Sequence, residues 1–160
     1  MAKFKEFLPY IIIVIVVVLL RTYIVTPGLV NGSSMENTLF DKDLVIINKI
    51  GLKSGINRYD IVVVKYNDST IIKRVIGLPG EKVTYKDNVL YIDDEEVKVP
   101  FKFQYTGDFE LSSGSGEYVV LGDNRNISKD SRSIGPVKES DIKGKVDLVL
   151  FPFKRFGKVK

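Results

Sequence analysis

Residues 61–92 read IVVVKYNDSTIIKRVIGLPGEKVTYKDNVLYI, and the class of fold turns on this stretch. Runs of four to seven residues rich in Val, Ile and Tyr alternate with Asn67-Asp68, Leu78-Pro79-Gly80 and Asp87-Asn88. Branched and aromatic side chains suit a pleated, half-buried surface, and Asn, Asp, Gly and Pro supply the backbone angles of tight turns. The spacing predicts strands over 61–66, 70–76, 82–85 and 89–92. The same pattern recurs outward at 44–47, 117–121 and 145–151, with Asp93-Asp94 as a further turn. No segment beyond Thr26 keeps a helical period over three turns. The expected fold is mainly β, a single antiparallel sheet or partly open barrel of about 135 residues over 26–160. Ser112-Ser113-Gly114-Ser115-Gly116 reads as a flexible loop inside it, without the Gly-Lys-Ser/Thr ending of a phosphate loop.

Upstream the pattern changes. Phe7 to Leu20, FLPYIIIVIVVVLL, is 14 residues without a charge, and apolar character resumes after Arg21 and Thr22. Residues 7–25 as a helix would reach roughly 28 Å, near the thickness of a hydrocarbon core. Arg21 would snorkel toward headgroups at the far end. A cleavable leader needs small residues after its apolar run, and the only alanine in the chain is Ala2. The reading is therefore three parts: a cytoplasmic 1–6, a transmembrane anchor 7–25, and an extracytoplasmic β domain 26–160. Lys3 and Lys5 before the span set that direction by the positive-inside rule.

The composition removes whole classes of chemistry. Among 160 residues there is no histidine and no cysteine, so a Ser-His-Asp triad, a cysteine nucleophile, a disulfide and a thiolate or imidazole metal site are excluded. The 20 acids are mostly scattered singly among 24 Lys and Arg, so neither a metal nor a cofactor is expected. The net charge of +4 comes from the two ends of the chain: residues 26–150 are slightly acidic, and four bases crowd the last ten residues, FPFKRFGKVK. That distribution gives no nucleic-acid surface. The tail could touch lipid headgroups or could fray.

Any hydrolytic site must then come from Ser, Thr, Lys, Tyr and carboxylates. Gly32-Ser33-Ser34-Met35-Glu36-Asn37-Thr38-Leu39 offers a serine beside small residues, a nucleophile or a plain linker. In Thr70 to Ile76 the strand period places Ile71, Lys73 and Val75 on one face and Ile72, Arg74 and Ile76 on the other. Lys73 thus shares its face with apolar neighbours: it either snorkels out or loses hydration, and desolvation disfavours the ammonium. The third segment, Gly122-Asp123-Asn124-Arg125 through Ser128-Lys129-Asp130-Ser131-Arg132 to Val137, is either a solvated turn or a loop stiffened by Asp–Arg pairs.

In order and content these segments resemble the motif boxes of bacterial type I signal peptidases, the leader peptidases. The resemblance includes the N-terminal anchor, Gly-x-Ser-Met-x-x-Thr-Leu at 32–39, YDIVVV at 59–64, KRVIGLPGE at 73–81, and GDNR at 122–125 with Ser128 and Asp130-Ser131-Arg132. It implies a signal-peptidase-like β domain behind one transmembrane helix, in the bacterial cell membrane. It implies Ser34 as nucleophile, Lys73 as general base, Ser128 as the hydroxyl orienting the lysine, and Asp123, Asp130, Arg74 and Arg132 as a structural polar network. The implied partners are membrane lipid and preproteins cut after small residues in an A-x-A pattern.

Two positions depart from the family. Asn37 stands where proline is usual, and Gly32 stands where some members carry a serine that donates to the oxyanion, which leaves that role to backbone N–H groups such as that of Ser34. The alternatives are a self-cleaving repressor-type Ser/Lys protease, which would need a DNA-binding region, and a silent anchored β domain that binds exported chains.

Overall fold

The computed structural model describes residues 2–159, with side chains from Phe7 onward. Helix α1 spans Ala2–Tyr23. It runs five residues ahead of the expected span and stops two short of it, because Val25 already belongs to the first strand. Its end is tied down: Thr26 Oγ1 donates to Arg21 O at 3.0 Å, and Lys49 Nζ to Thr22 O at 2.9 Å. A cation there satisfies last-turn carbonyls and opposes the helix dipole. From Phe7 to Leu20 the side chains of α1 are all exposed. Among the described residues no helix is long and apolar enough to cross a membrane, and Lys3 and Lys5, on which the direction of the chain rests, have side chains outside the described residues.

The strands are β1 (Val25–Leu29), β2 (Leu44–Asn48), β3 (Ile61–Tyr66), β4 (Ser69–Gly77), β5 (Lys82–Lys86), β6 (Val89–Ile92), β7 (Glu95–Val97), β8 (Phe109–Ser112), β9 (Glu117–Leu121), β10 (Val137–Lys138), β11 (Ile142–Phe151) and β12 (Gly157–Lys158), with one short helix, α2 (Ser131–Ile134). Asp87 and Asn88, with φ of 50° and 66°, and Asp93 and Asp94, with 51° and 69°, form two-residue turns whose twist matches the strands they join.

All pairings are antiparallel, but there are two sheets where one was expected. Eight strands run β1-β2-β11-β3-β4-β9-β10 with β12 on β11, and a second sheet of four runs β7-β6-β5-β8. The division falls at Leu78-Pro79-Gly80-Glu81, where the chain leaves β4 and turns away. Arg58 grips that turn with Nη1 on Glu81 Oε2 and Nη2 on Oε1, at 2.9 and 2.7 Å, while Leu78 N donates to Glu81 Oε2. The Ser112–Gly116 segment also serves this corner. Ser113 Oγ donates to Leu78 O at 2.6 Å, so the loop read as flexible is fastened at its second residue.

The strand alternation holds in β4. Ile71 and Val75 pack into one core with Val62, Val64 and Val120, whereas Ile72 and Ile76 join two others. One of those surrounds Met35 and Leu39 with Val45, Val63, Val146 and Val149. The other, between the sheets, gathers Tyr85, Leu90, Val119 and Leu121.

Candidate active site

Three segments converge at the middle of β4. The first is the connection between β1 and β2, which carries Ser34. It is a compact turn because Met35 and Leu39 are both buried and Leu39 N donates to Met35 O at 2.8 Å. Ser34 is thus fixed one residue before an apolar anchor. Asn124 N donates to Ser34 O at 3.1 Å and holds the turn from the opposite side.

The second is Lys73. Its backbone lies in β4 opposite Val62 of β3, and its side chain is only 2% exposed. Nζ stands 2.7 Å from Ser34 Oγ and donates to Ile72 O at 2.8 Å. Among the described residues no carboxylate pairs with it. Burial pushes the amine down from 10.5 to about 8, although the more distant charges of Asp130 and Asp123 pull the other way. At pH 7 roughly one lysine in ten would then be neutral, against about one in several thousand for a solvated side chain.

The third is the 121–132 segment. Arg74, the residue beside the lysine, reaches the opposite side of β4 and meets Asp123 through Nε and Nη2 at 2.9 and 2.7 Å. Both are essentially fully buried. An unpaired charge at that depth would be costly, so the fork-to-fork geometry and the added bonds are needed. Arg74 Nη1 also donates to Tyr59 O, Thr38 Oγ1 bridges the pair, and the guanidinium lies over Phe101. Asp130 accepts from Arg132 Nε and Nη2, both at 2.8 Å, and from Gly122 N. Burial alone would raise the Asp130 carboxyl. The Arg132 side chain, the Gly122 N–H and the Ser128 hydroxyl outweigh it and keep the group below its usual range.

Ser128 was expected to orient the lysine. Its Oγ lies near the Asp130 carboxylate but makes no well-aligned hydrogen bond to any described residue, and the bonds of Lys73 Nζ go to Ser34 and Ile72 instead. The seven residues singled out from the sequence therefore form three adjoining groups: Ser34 with Lys73, Arg74 with Asp123, and Arg132 with Asp130 and Ser128.

Other members had no separate signal. Gly122 is one: a Cβ there would overlap Ser128 Oγ and the Ser34 carbonyl, so only glycine lets the two segments touch. Thr38 and Asn124 lie inside segments already quoted, but their bonds depend on tertiary placement. Arg155, from the far end of the chain, donates to Thr38 O at 2.9 Å.

Ser34 and Lys73 open onto a cavity of about 260 Å³ whose walls include Leu29, Ile47, Val63 and Ile71. It is small and mixed in character, with Asn31 and Thr70 beside those apolar side chains, and its size suits short groups. A larger hollow of about 560 Å³, lined by Phe40, Phe101, Lys102 and Arg155, lies on the other side of the turn and touches neither Ser34 nor Lys73.

Residues 4–151 match the family model for signal peptidase, peptidase S26. Signal peptidase I of Bacillus caldolyticus is 40% identical over 93% of this chain and 92% of its own. Signal peptidase I U of Bacillus subtilis strain 168 is 37% identical over 96% and 90%. Among solved structures, a signal peptidase I of Enterococcus faecalis V583 is 35% identical with a TM-score of 0.52, covering 56% of this chain and 95% of that one.

Proposed function

The chain belongs to the signal peptidase family, peptidase S26, and from that premise we propose that it removes signal peptides from exported preproteins with a Ser34–Lys73 dyad. The observation that carries the dyad is the 2.7 Å separation of Lys73 Nζ and Ser34 Oγ at a buried, carboxylate-free amine. That is within reach for proton transfer, and the amine's tendency to stay neutral suits a general base. Neutral Lys73 takes the hydroxyl proton as Ser34 Oγ attacks the scissile carbonyl. The ammonium then protonates the leaving amine, and the same lysine activates water to release the acyl group. Among the described residues the Ser34 N–H donates to no protein acceptor, which leaves it free for the oxyanion. Gly32 has no side-chain donor for that role, and its φ of 90° favours the residue it is.

The small size of the cavity and the absence of a carboxylate from its lining support small uncharged side chains on the acyl side of the cut. The exposed apolar side chains from Phe7 to Leu20 support a lipid environment for α1. The β domain then sits at the outer membrane face, beside substrates still held in the bilayer. Neither alternative is needed once the family is fixed.

The test is cleavage of a synthetic preprotein by the full chain, compared with Ser34→Ala and Lys73→Arg. Arginine keeps the charge but cannot act as a base near neutrality. Both variants should lose roughly three or more orders of magnitude in kcat. Undiminished cleavage by Ser34→Ala would remove the nucleophile assignment, and full activity in Lys73→Arg would remove the base.

A further inference from the structure

The dyad leaves one elaborate piece of the molecule without a task. The last eight described residues, 152–159, fold back along the sheet as a strap. Arg155 N donates to Pro152 O and Phe156 N to Phe153 O, making a tight bend; β12 then pairs with β11, Val149 facing Gly157 and Leu148 facing Lys158. Val159 packs against the cluster that holds Met35 and Leu39. The family match stops at residue 151, ahead of the strap.

From this strap Arg155 projects onto the turn that carries Ser34, and it holds that turn in three ways. Nη2 donates to Thr38 O at 2.9 Å, the same nitrogen meets Asp43 Oδ2 at 2.7 Å, and the guanidinium lies 3.9 Å from the centre of the Phe40 ring. Asp43 is itself buried and accepts from Phe40 N at 2.8 Å. Its backbone is bound to the residue that begins the loop, with Val30 N donating to Asp43 O. Thr38 is the hub: its hydroxyl sits between Arg74 and Asp123, and its carbonyl takes Arg155. It stands four positions after Ser34.

We propose that Arg155 is a positioning residue for the reaction. The C-terminal strap clamps the nucleophile turn from behind, so that Ser34 Oγ stays in line with Lys73 Nζ. The planar guanidinium matters because it serves a carbonyl, a carboxylate and a ring face together, and a lysine ammonium would serve the ion pair alone. Arg155 touches neither substrate nor the reacting atoms. Its effect passes through Thr38 and Met35 to the serine, where a small misplacement is costly.

The inference rests on Ser34 being the nucleophile, and one experiment separates the two. Cleavage kinetics of a peptide spanning the cut are measured for the full chain, Arg155→Ala, Arg155→Lys, the exposed neighbour Lys154→Ala, and Ser34→Ala. Arg155→Ala should lose roughly ten- to a hundredfold in kcat while KM stays within about twofold. Its rate should still titrate at the wild-type pH, because Lys73 is untouched. Arg155→Lys should recover part of the loss, and Lys154→Ala should match wild type. Hydrogen exchange covers the case of a destabilised variant: Arg155→Ala should speed exchange at the Leu39 and Phe40 amides without changing β4. Wild-type kcat in Arg155→Ala, or exchange that quickens equally in the turn and in β4, would overturn the clamp. Activity in Ser34→Ala would instead overturn the dyad beneath it.

Discussion

At the scale of single residues the site is a set of compromises around Lys73. Its amine is depressed to about 8 by burial, so the base form grows as pH rises. The rate should climb about tenfold per pH unit below about 8 and level off above it, which a kcat/KM profile between pH 6 and 10 checks. The same depression bears on stability. Between pH 8 and 10.5 the unfolded lysine still holds a proton that the folded one has lost, so stability rises with pH across that window. Below pH 8 the folded state carries a cost of about 3 kcal/mol for a buried ammonium. Lys73→Met removes that cost along with two hydrogen bonds worth about 1 kcal/mol each. The variant should be inactive yet more stable than wild type by about 1 kcal/mol at pH 7, with the gain gone at about pH 9 and reversed to a loss of about 2 kcal/mol by pH 10.5. Denaturant unfolding at the two pH values measures it. Gly122→Ala is the steric counterpart: its methyl group would push on Ser34 O and Ser128 Oγ. A loss of roughly a hundredfold in kcat with retained fold is expected, and a wild-type rate would mean that the two segments need not touch.

At the scale of elements, the turn after the nucleophile explains a departure from the family that the sequence could only register. Asn37 has φ of 92°, a value that proline, locked near −65°, cannot take. Asparagine tolerates the positive region, and glycine does so more freely. Asn37→Gly should therefore change stability by less than about 0.5 kcal/mol, whereas Asn37→Pro should cost more than about 1 kcal/mol and slow cleavage. Parallel thermal melts and rate measurements on the two variants decide it. Strands β3, β6 and β9 were legible beforehand, with the predicted bounds, because branched and aromatic residues fill them. Strands β1, β7, β8, β10 and β12 were not. Strand β1 carries Pro27 and Gly28, β7 is three residues with consecutive Glu95-Glu96, β8 has four residues and β10 and β12 have two each, and they form only because a neighbour offers a register. Ser34 and Lys73 stood out locally as candidates, and the resemblance between motif boxes is what joined them into a pair. Arg155 and Asn124 did not stand out, since what matters in them is a bond to a distant carbonyl.

At the scale of the molecule, the β domain and α1 meet water differently. The β domain closes three apolar cores over itself, and α1 leaves its apolar side chains uncovered. In water that surface would have to be covered, and a hydrocarbon environment does so without further protein. The proposed topology follows from charge: Lys3 and Lys5 retain the start of the chain on the cytoplasmic side, and the β domain crosses. The absence of native cysteine makes this directly measurable. Ser115 is exposed in the β8–β9 connection and is not part of the lining of the cavity at Ser34 and Lys73, so Ser115→Cys introduces a single thiol that leaves the site intact. In intact cells a membrane-impermeant maleimide should label it as fully as in permeabilised cells. Labelling only after permeabilisation would put the β domain on the cytoplasmic side, where it could not meet the cut site of a translocated preprotein, and the proposed localisation would fall even if the dyad were active in detergent.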